Sequence, residues 1–280
     1  ILSLVTSLFV FGIILFNHKY SFEKYFFKLK NLVFFQFFFL LISFFSLIIL
    51  FIKSEFSNLT VYTNSHTTKP LFYKISGTWG NHEGSLLLWL LILTFSIFLY
   101  INNSSKRSVK ERLLTLFFQQ IIIIGFSSFT ILTSNPFSMI IPVPINGLGL
   151  NPILQDPILA IHPPILYLGY VSTSIIFSSS LSSLISGNVD KIWAKHIKQW
   201  TFFSWIFLTA GILLGSIWAY YELGWGGFWF WDPVENISLM PWLSLTALIH
   251  CILVLEKRST LKSWTIILSI STFTLSVCGT

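Results

Sequence analysis

"NLVFFQFFFLLISFFSLIILFI" runs from Asn31 to Ile52 without one charged residue. As an α-helix, its 22 residues reach about 33 Å at ~1.5 Å per residue, enough to cross ~30 Å of bilayer hydrocarbon. Working outward, seven further apolar stretches fall at about 1–16, 85–101, 113–134, 164–186, 201–220, 240–255 and 264–280. The 17 Lys and Arg and the 10 Asp and Glu all lie between these stretches. Charged residues make up 10% of the chain, against ~25% in soluble domains, and hydrophobic residues 54%. The predicted fold is an all-α polytopic membrane protein of about eight spans, a single membrane domain over residues 1–280.

The net charge of +7 does not signal nucleic acid, because the basic residues sit in short gaps between spans and no motif reads bases. It reads as topology. The first, third, fifth and seventh loops hold 14 of the 17 Lys and Arg, among them Lys24, Lys28, Arg107, Arg112, Lys195 and Arg258. The positive-inside rule puts those loops in the matrix or cytoplasm, and the richer even loops and both termini on the outer face. Cys251 and Cys278 form no Cys-x-x-Cys pair, so neither thiol redox chemistry nor covalent haem on this chain is expected. No cleavable signal peptide is evident, and Ile1 already lies inside an apolar run, so a natural start upstream is an expectation. Thirty phenylalanines, with many Ile, Leu, Ser and Lys, fit an AT-rich organellar genome.

Chemistry concentrates in the even loops. "WAYYELGWGGFWFWDPVEN" (Trp218–Asn236) holds four tryptophans, three glycines and three acids, with no Lys or Arg. One reading is an interfacial aromatic belt. The other is a bed for a flat apolar ligand: glycines admit close approach, and rings supply stacking area at low entropic cost.

Of the histidines, His18 and His196 fall in basic inner loops and read as solvated, and nothing near His66 in the sequence gives it a role. His82, in "GNHEG", is a candidate outer-face site residue with Trp79 and Glu83. His162 precedes Pro163-Pro164 and is expected at a helix N-terminus, where the dipole favours neutral imidazole, the metal-binding form; an ordinary loop histidine is the alternative. His250 lies ten residues into the seventh span, about 15 Å down. A ligand role or a neutral histidine in a local polar network with Thr246 are both open there. A platform outside and a buried histidine below suggest haem, for which histidine is a common axial ligand.

Four blocks in order then resemble one family. "WGGFWFWDPVEN" is similar to the tryptophan-rich WWD signature of haem-handling membrane proteins, and "DPVENISLMPW" narrows it to the CcmF type. "GTWGNHEGSLLLW" (Gly77–Trp89), "QDPILAIHPPILYLGY" (Gln155–Tyr170) and "LSVCGT" (Leu275–Thr280) resemble further blocks. The resemblance implies a cytochrome c haem lyase component (a holocytochrome c synthase active with partner subunits) that presents haem b to the Cys-x-x-Cys-His of apocytochrome c. It implies a platform from the WWD loop 218–242, comprising Trp218, Trp225, Gly226, Gly227, Phe228, Trp229, Trp231, Asp232 and Trp242. His162 corresponds to an axial ligand of that substrate haem, and His250 to a ligand of a second haem within the membrane. The acids are expected to meet basic groups on the partner. No catalytic acid or base and no other metal is assigned.

Phe228 stands where the signature often has Trp, which keeps an aromatic face. The family carries its second histidine ligands beyond "GT", so the resemblance implies the N-terminal portion of a split mitochondrial protein in the inner membrane; a bacterial inner membrane is the alternative. Implied partners are the remaining CcmF fragment, a CcmH-type thiol-handling subunit, a CcmE-type haem chaperone, apocytochrome c and the bilayer. A CcmC-like haem transporter and a structural subunit of a respiratory assembly are the competing readings.

Overall fold

The computed structural model describes residues 1–16, 22–104, 107–224 and 228–279. It is an all-α polytopic membrane protein. Ten α-helices follow in order: α1 Leu2–Phe16, α2 Phe22–Lys53, α3 Leu59–Asn64, α4 Leu71–Gly77, α5 His82–Asn103, α6 Val109–Thr133, α7 Pro157–Ser186, α8 Lys191–Glu222, α9 Pro233–Arg258 and α10 Lys262–Cys278. A 3-10 turn at Pro152–Leu154 precedes α7. Six of them (α2 and α5–α9) are long and apolar enough to cross a membrane, and α1 and α10 are shorter apolar helices. Among the described residues the sole β pairing is an isolated bridge between Asn58 and Met139.

The helices outrun the apolar stretches because polar caps, rather than hydropathy, set their starts. Asn81, Asp156, Asp190 and Asp232 each accept a backbone N–H from the first turn of α5, α7, α8 and α9. Ser108 and Glu111 close a reciprocal capping box on α6. Pro157 and Pro233 follow their caps directly, where a missing N–H costs nothing. So α7 begins at Pro157, seven residues before the apolar stretch at 164, and α9 at Pro233, seven before 240.

At the bundle's centre, α7 packs against α5, α6, α8 and α10. Its middle and end carry small hydroxyl residues, with Ser172, Thr173, Ser174, Ser178 and Ser180 fully buried. Small side chains let helix backbones approach, which lipid surroundings reward through packing. The α7–α8 seam shows this: a Cβ on Gly169 would strike the backbone of Leu208, and one on Gly211 would meet Leu166 Cα at 2.6 Å. Amides bond across other seams, Gln36 with Gln120 reciprocally (3.0 and 3.1 Å) and Gln119 with Ser174 and Ser178 (both 2.9 Å).

At the end carrying the α5–α6 and α7–α8 connections, buried Arg107 pairs with Glu111 (2.8 Å) and Asp190 (3.1 Å). His196 departs from its expected solvated state here. It lies on α8, its ring edge-on to Tyr100 at 5.1 Å and its Nε2 buried without a partner among the described residues. The helix begins at Lys191, so the residue is turned into the bundle rather than left in a loop.

Candidate functional site

At the opposite end, the α4–α5 turn is a rigid joint. Asn81 accepts from Gly84 N (2.8 Å) and donates to Gly77 O (2.7 Å), and Ser85 Oγ donates to Trp79 O (2.7 Å). A Cβ on Gly84 would land on the Thr78 carbonyl. This fixes Trp79, whose indole N–H donates to Ala160 O on α7 at 2.8 Å. Ala160 O is free to accept because Pro164, four residues on, has no N–H to give it.

His82 opens α5 with Nε2 3.0 Å from Ser134 Oγ and its ring edge-on to Phe129. Glu83, also in that first turn, suits the helix dipole. Trp79 and His82 line a cavity of about 360 Å³ with Leu159, Pro163 and Tyr167. A second cavity of about 460 Å³ shares His82 and Tyr167 and runs past Phe129, Ile237 and Val277.

His162 does not sit in the first turn of its helix. It is the sixth residue of α7, because Asp156 and Pro157 start the helix upstream and Pro163 and Pro164 lie inside it. What a hydrogen bond sets there is the tautomer of the neutral ring, not its charge. Nδ1 lies 2.7 Å from the Gly211 carbonyl of α8. A carbonyl only accepts, so Nδ1 carries the proton and Nε2 keeps its lone pair. That tautomer presents a metal-binding nitrogen oriented by a carbonyl behind it. The ring lies against Gly215, one turn from Gly211, and Trp218 follows one turn further along that face.

Between α8 and α9 the aromatic loop is set by its acids. Asp232 caps α9, accepting from Glu235 N at 2.6 Å. Glu235 reaches back, Oε2 accepting from Phe230 N and Trp231 N (both 2.8 Å), and Asn236 donates to Trp231 O (2.9 Å). Trp231 is thereby held at φ 62° with Trp229 edge-on to it at 6.0 Å. Asp232 and Glu235, two of the three acids, thus shape the loop. Phe228, Phe230 and Trp231 stand exposed. Among the described residues, the indole N–H groups of Trp218 and Trp229 and Glu235 Oε1 are buried without a hydrogen-bond partner. Trp225, Gly226 and Gly227 lie outside the described residues.

Two expected site residues stand apart. Trp242 is the tenth residue of α9, stacked on Trp205 and bonded to Thr209, so it belongs to the α8–α9 packing. His250 is the eighteenth residue of α9, about 26 Å from its start and about 12 Å from its end. The expected 15 Å depth counted from residue 240, seven residues after the helix starts at Pro233. It is exposed on the bundle's outer surface, and Thr246 serves Trp205 rather than the histidine. The sequence gives no role to Glu235, Gly211 or Gly215 individually. The glycines' signal was a one-turn spacing within an apolar span.

Comparison with known proteins gives the arrangement its context. Residues 79–280 match the family model described as cytochrome C assembly protein. The Rhizobium meliloti cytochrome c-type biogenesis protein CycK is 53% identical over 246 residues, 86% of this chain and 36% of the relative. The Escherichia coli cytochrome c-type biogenesis protein CcmF is 48% identical over 234 residues, 82% of this chain and 36% of the relative. A solved structure of cytochrome c heme lyase CcmF superposes with a TM-score of 0.87 at 28% identity, covering 99% of this chain and 44% of that one. The chain thus spans little more than a third of the curated relatives it matches, and it belongs to the cytochrome c assembly protein family.

Proposed function

We propose that this chain is the haem-presenting part of a cytochrome c haem lyase, acting in cytochrome c maturation on the outer face of its membrane. The observation that carries the reading is His162: Nδ1–H is fixed on Gly211 O and Nε2 is left as a ligand, on the face of α8 that leads to Trp218. The loop chemistry fits the same substrate. Exposed rings at Phe228, Phe230 and Trp231 suit a porphyrin face, and the orphan N–H groups of Trp218 and Trp229 suit its carboxylates.

On this reading His162 Nε2 holds the substrate iron and the loop turns the vinyl edge towards apocytochrome c. Each cysteine sulfur adds to one vinyl carbon, its proton ends on the neighbouring carbon, and a thioether forms without net oxidation. No side chain of the chain is assigned to that proton. Positioning and water exclusion are its contribution.

His250 is proposed as one ligand of a second haem, within the membrane, whose chemistry when bound is one-electron reduction. Its exposure on α9 fits a site completed from outside these 280 residues. The completing partners proposed are the rest of a CcmF protein, a thiol-handling subunit and a haem chaperone. The AT-rich composition favours a mitochondrial inner membrane with this face towards the intermembrane space, while the bacterial relatives keep a bacterial inner membrane as the alternative.

The test is the reduced-minus-oxidised spectrum of the complex purified through this chain. Loss of one haem signal in His250→Ala and of another in His162→Ala supports the lyase reading. Haem unchanged in His250→Ala points to a transporter, and a colourless parent complex to a structural subunit.

A further inference from the structure

We infer that Gly215 is a positioning residue of the site: its missing side chain is the seat of the His162 imidazole. The inference rests on the reading of His162 as a haem ligand, and it adds the group that fixes the ring's place.

The geometry is specific. A Cβ built on Gly215 would lie 2.7 Å from His162 Cε1 and 3.2 Å from both Nδ1 and Nε2. Real Cβ atoms essentially never come as close as the first of these, so an alanine there requires the ring to move. The ring is no freely swinging side chain, because Nδ1 is bonded to Gly211 O at 2.7 Å. Moving it breaks that bond and leaves the tautomer unspecified.

Gly211 and Gly215 are one turn apart on α8 but do different work. A Cβ on Gly211 would strike Leu166 at Cα and Cβ, so that glycine sets the α7–α8 distance. Among the three nearest atoms to a Cβ on Gly215, all belong to His162. Helix packing therefore explains Gly169 and Gly211, whereas at Gly215 the imidazole is what a side chain would meet first. A glycine inside a helix is disfavoured relative to alanine, and here it serves one side chain's orientation.

The test compares complexes purified through the chain carrying Gly215→Ala or the control Gly125→Ala, a helical glycine of α6 whose Cβ would meet nothing within 4 Å. The first readout needs no haem: modification of His162 by diethyl pyrocarbonate, followed by peptide mass spectrometry. A several-fold change of rate in Gly215→Ala with the parent rate in Gly125→Ala is expected, and equal rates in all three overturn the inference. If Gly215→Ala fails to accumulate, His162→Gly in the same chain removes the clash and restores accumulation; failure to restore it also overturns the inference.

The second readout uses added ferric haem and free imidazole. His162→Gly should regain the parent Soret position when imidazole is supplied. His162→Gly/Gly215→Ala should not, because the methyl group occupies the seat. Equal rescue of both overturns the inference. Should His162→Gly leave the haem spectrum untouched, the ligand reading fails, and the modification rates still decide what Gly215 does.

Discussion

Trp205 of α8 and Trp242 of α9 stack with ring centroids 6.2 Å apart, and each indole donates to a threonine on the other's helix. Trp205 Nε1 meets Thr246 Oγ1 at 2.9 Å, and Trp242 Nε1 meets Thr209 Oγ1 at 2.8 Å. Each hydroxyl in turn donates to the carbonyl of the tryptophan one turn before it, at 2.6 Å for Thr209 and 2.9 Å for Thr246. All four polar groups are satisfied without solvent.

The clasp predicts that Trp242 acts through stability. Thr209→Val and Thr246→Val each leave one indole N–H unpaired, at about 1 kcal/mol apiece for interhelical bonds in a membrane. The double variant should cost more than either, read as a lower unfolding midpoint in detergent. Trp242→Phe keeps a ring for stacking and loses one bond. It should lower the midpoint while leaving the His162-dependent haem spectrum at the parent position. A spectrum altered as strongly as in Trp229→Ala would return Trp242 to the platform.

Trp79 makes an epistatic prediction with a proline two helices away. Trp79→Phe deprives Ala160 O of its donor, leaving a buried carbonyl unpaired at a cost of about 1–3 kcal/mol. Pro164→Ala supplies an N–H four residues on, which can make the ordinary helical bond to that carbonyl. The double variant should therefore recover much of the stability lost in Trp79→Phe alone, measured by thermal unfolding. Additive losses would show that the turn, rather than the bond, is what Trp79 holds.

What the sequence disclosed follows from what hydropathy can see. An apolar run such as 31–52 must be buried or in lipid whatever its neighbours do, so the helical membrane fold was legible from the chain alone. Helix starts were displaced because a cap is a single polar residue outside the apolar run, as with Asp156 and Asp232. That displacement moved His162 from the first turn to the second. The aromatic loop was legible as a cluster. Glu235 was not, because its partners are backbone N–H groups that no side-chain pattern announces. Gly215 was hidden for a similar reason, since its neighbour His162 comes from a different helix.

Lys69 gives a pH prediction. It lies between α3 and α4, nearly buried, with Nζ donating to Asn64 O at 3.2 Å. Burial, and then repulsion from Lys74, lower its pKa from 10.5 to about 8. Between those values the unfolded chain binds the proton and the folded chain releases it, so this residue makes stability rise as pH climbs from about 8 to 10.5. Below that window the buried ammonium is a standing cost. Lys69→Met should raise the unfolding midpoint by a few degrees at pH 7, with the advantage shrinking as the pH approaches 10.5. A constant difference across the window would show that Lys69 is not the group responsible.

Glu235 should act on the site through the loop's shape. Its Oε2 holds two backbone N–H groups at 2.8 Å, keeping Trp231 at φ 62°, a conformation that a tryptophan rarely adopts unaided. Hydrogen bonds to a charged acceptor contribute about 1.5–3 kcal/mol each, so Glu235→Ala should open the loop by tenfold or more. Glu235→Gln keeps one weaker acceptor and should fall between. Chymotrypsin cleavage at Phe228–Trp231 reports this directly, and its rate should rise in the order parent, Gln, Ala. Modification of His162 should proceed at the parent rate in both variants, because the imidazole is seated on Gly211 and Gly215 of α8 and not on the loop. If cleavage were unchanged while haem was lost, Glu235 would have to touch the haem itself, and its unpaired Oε1 would become the atom to follow.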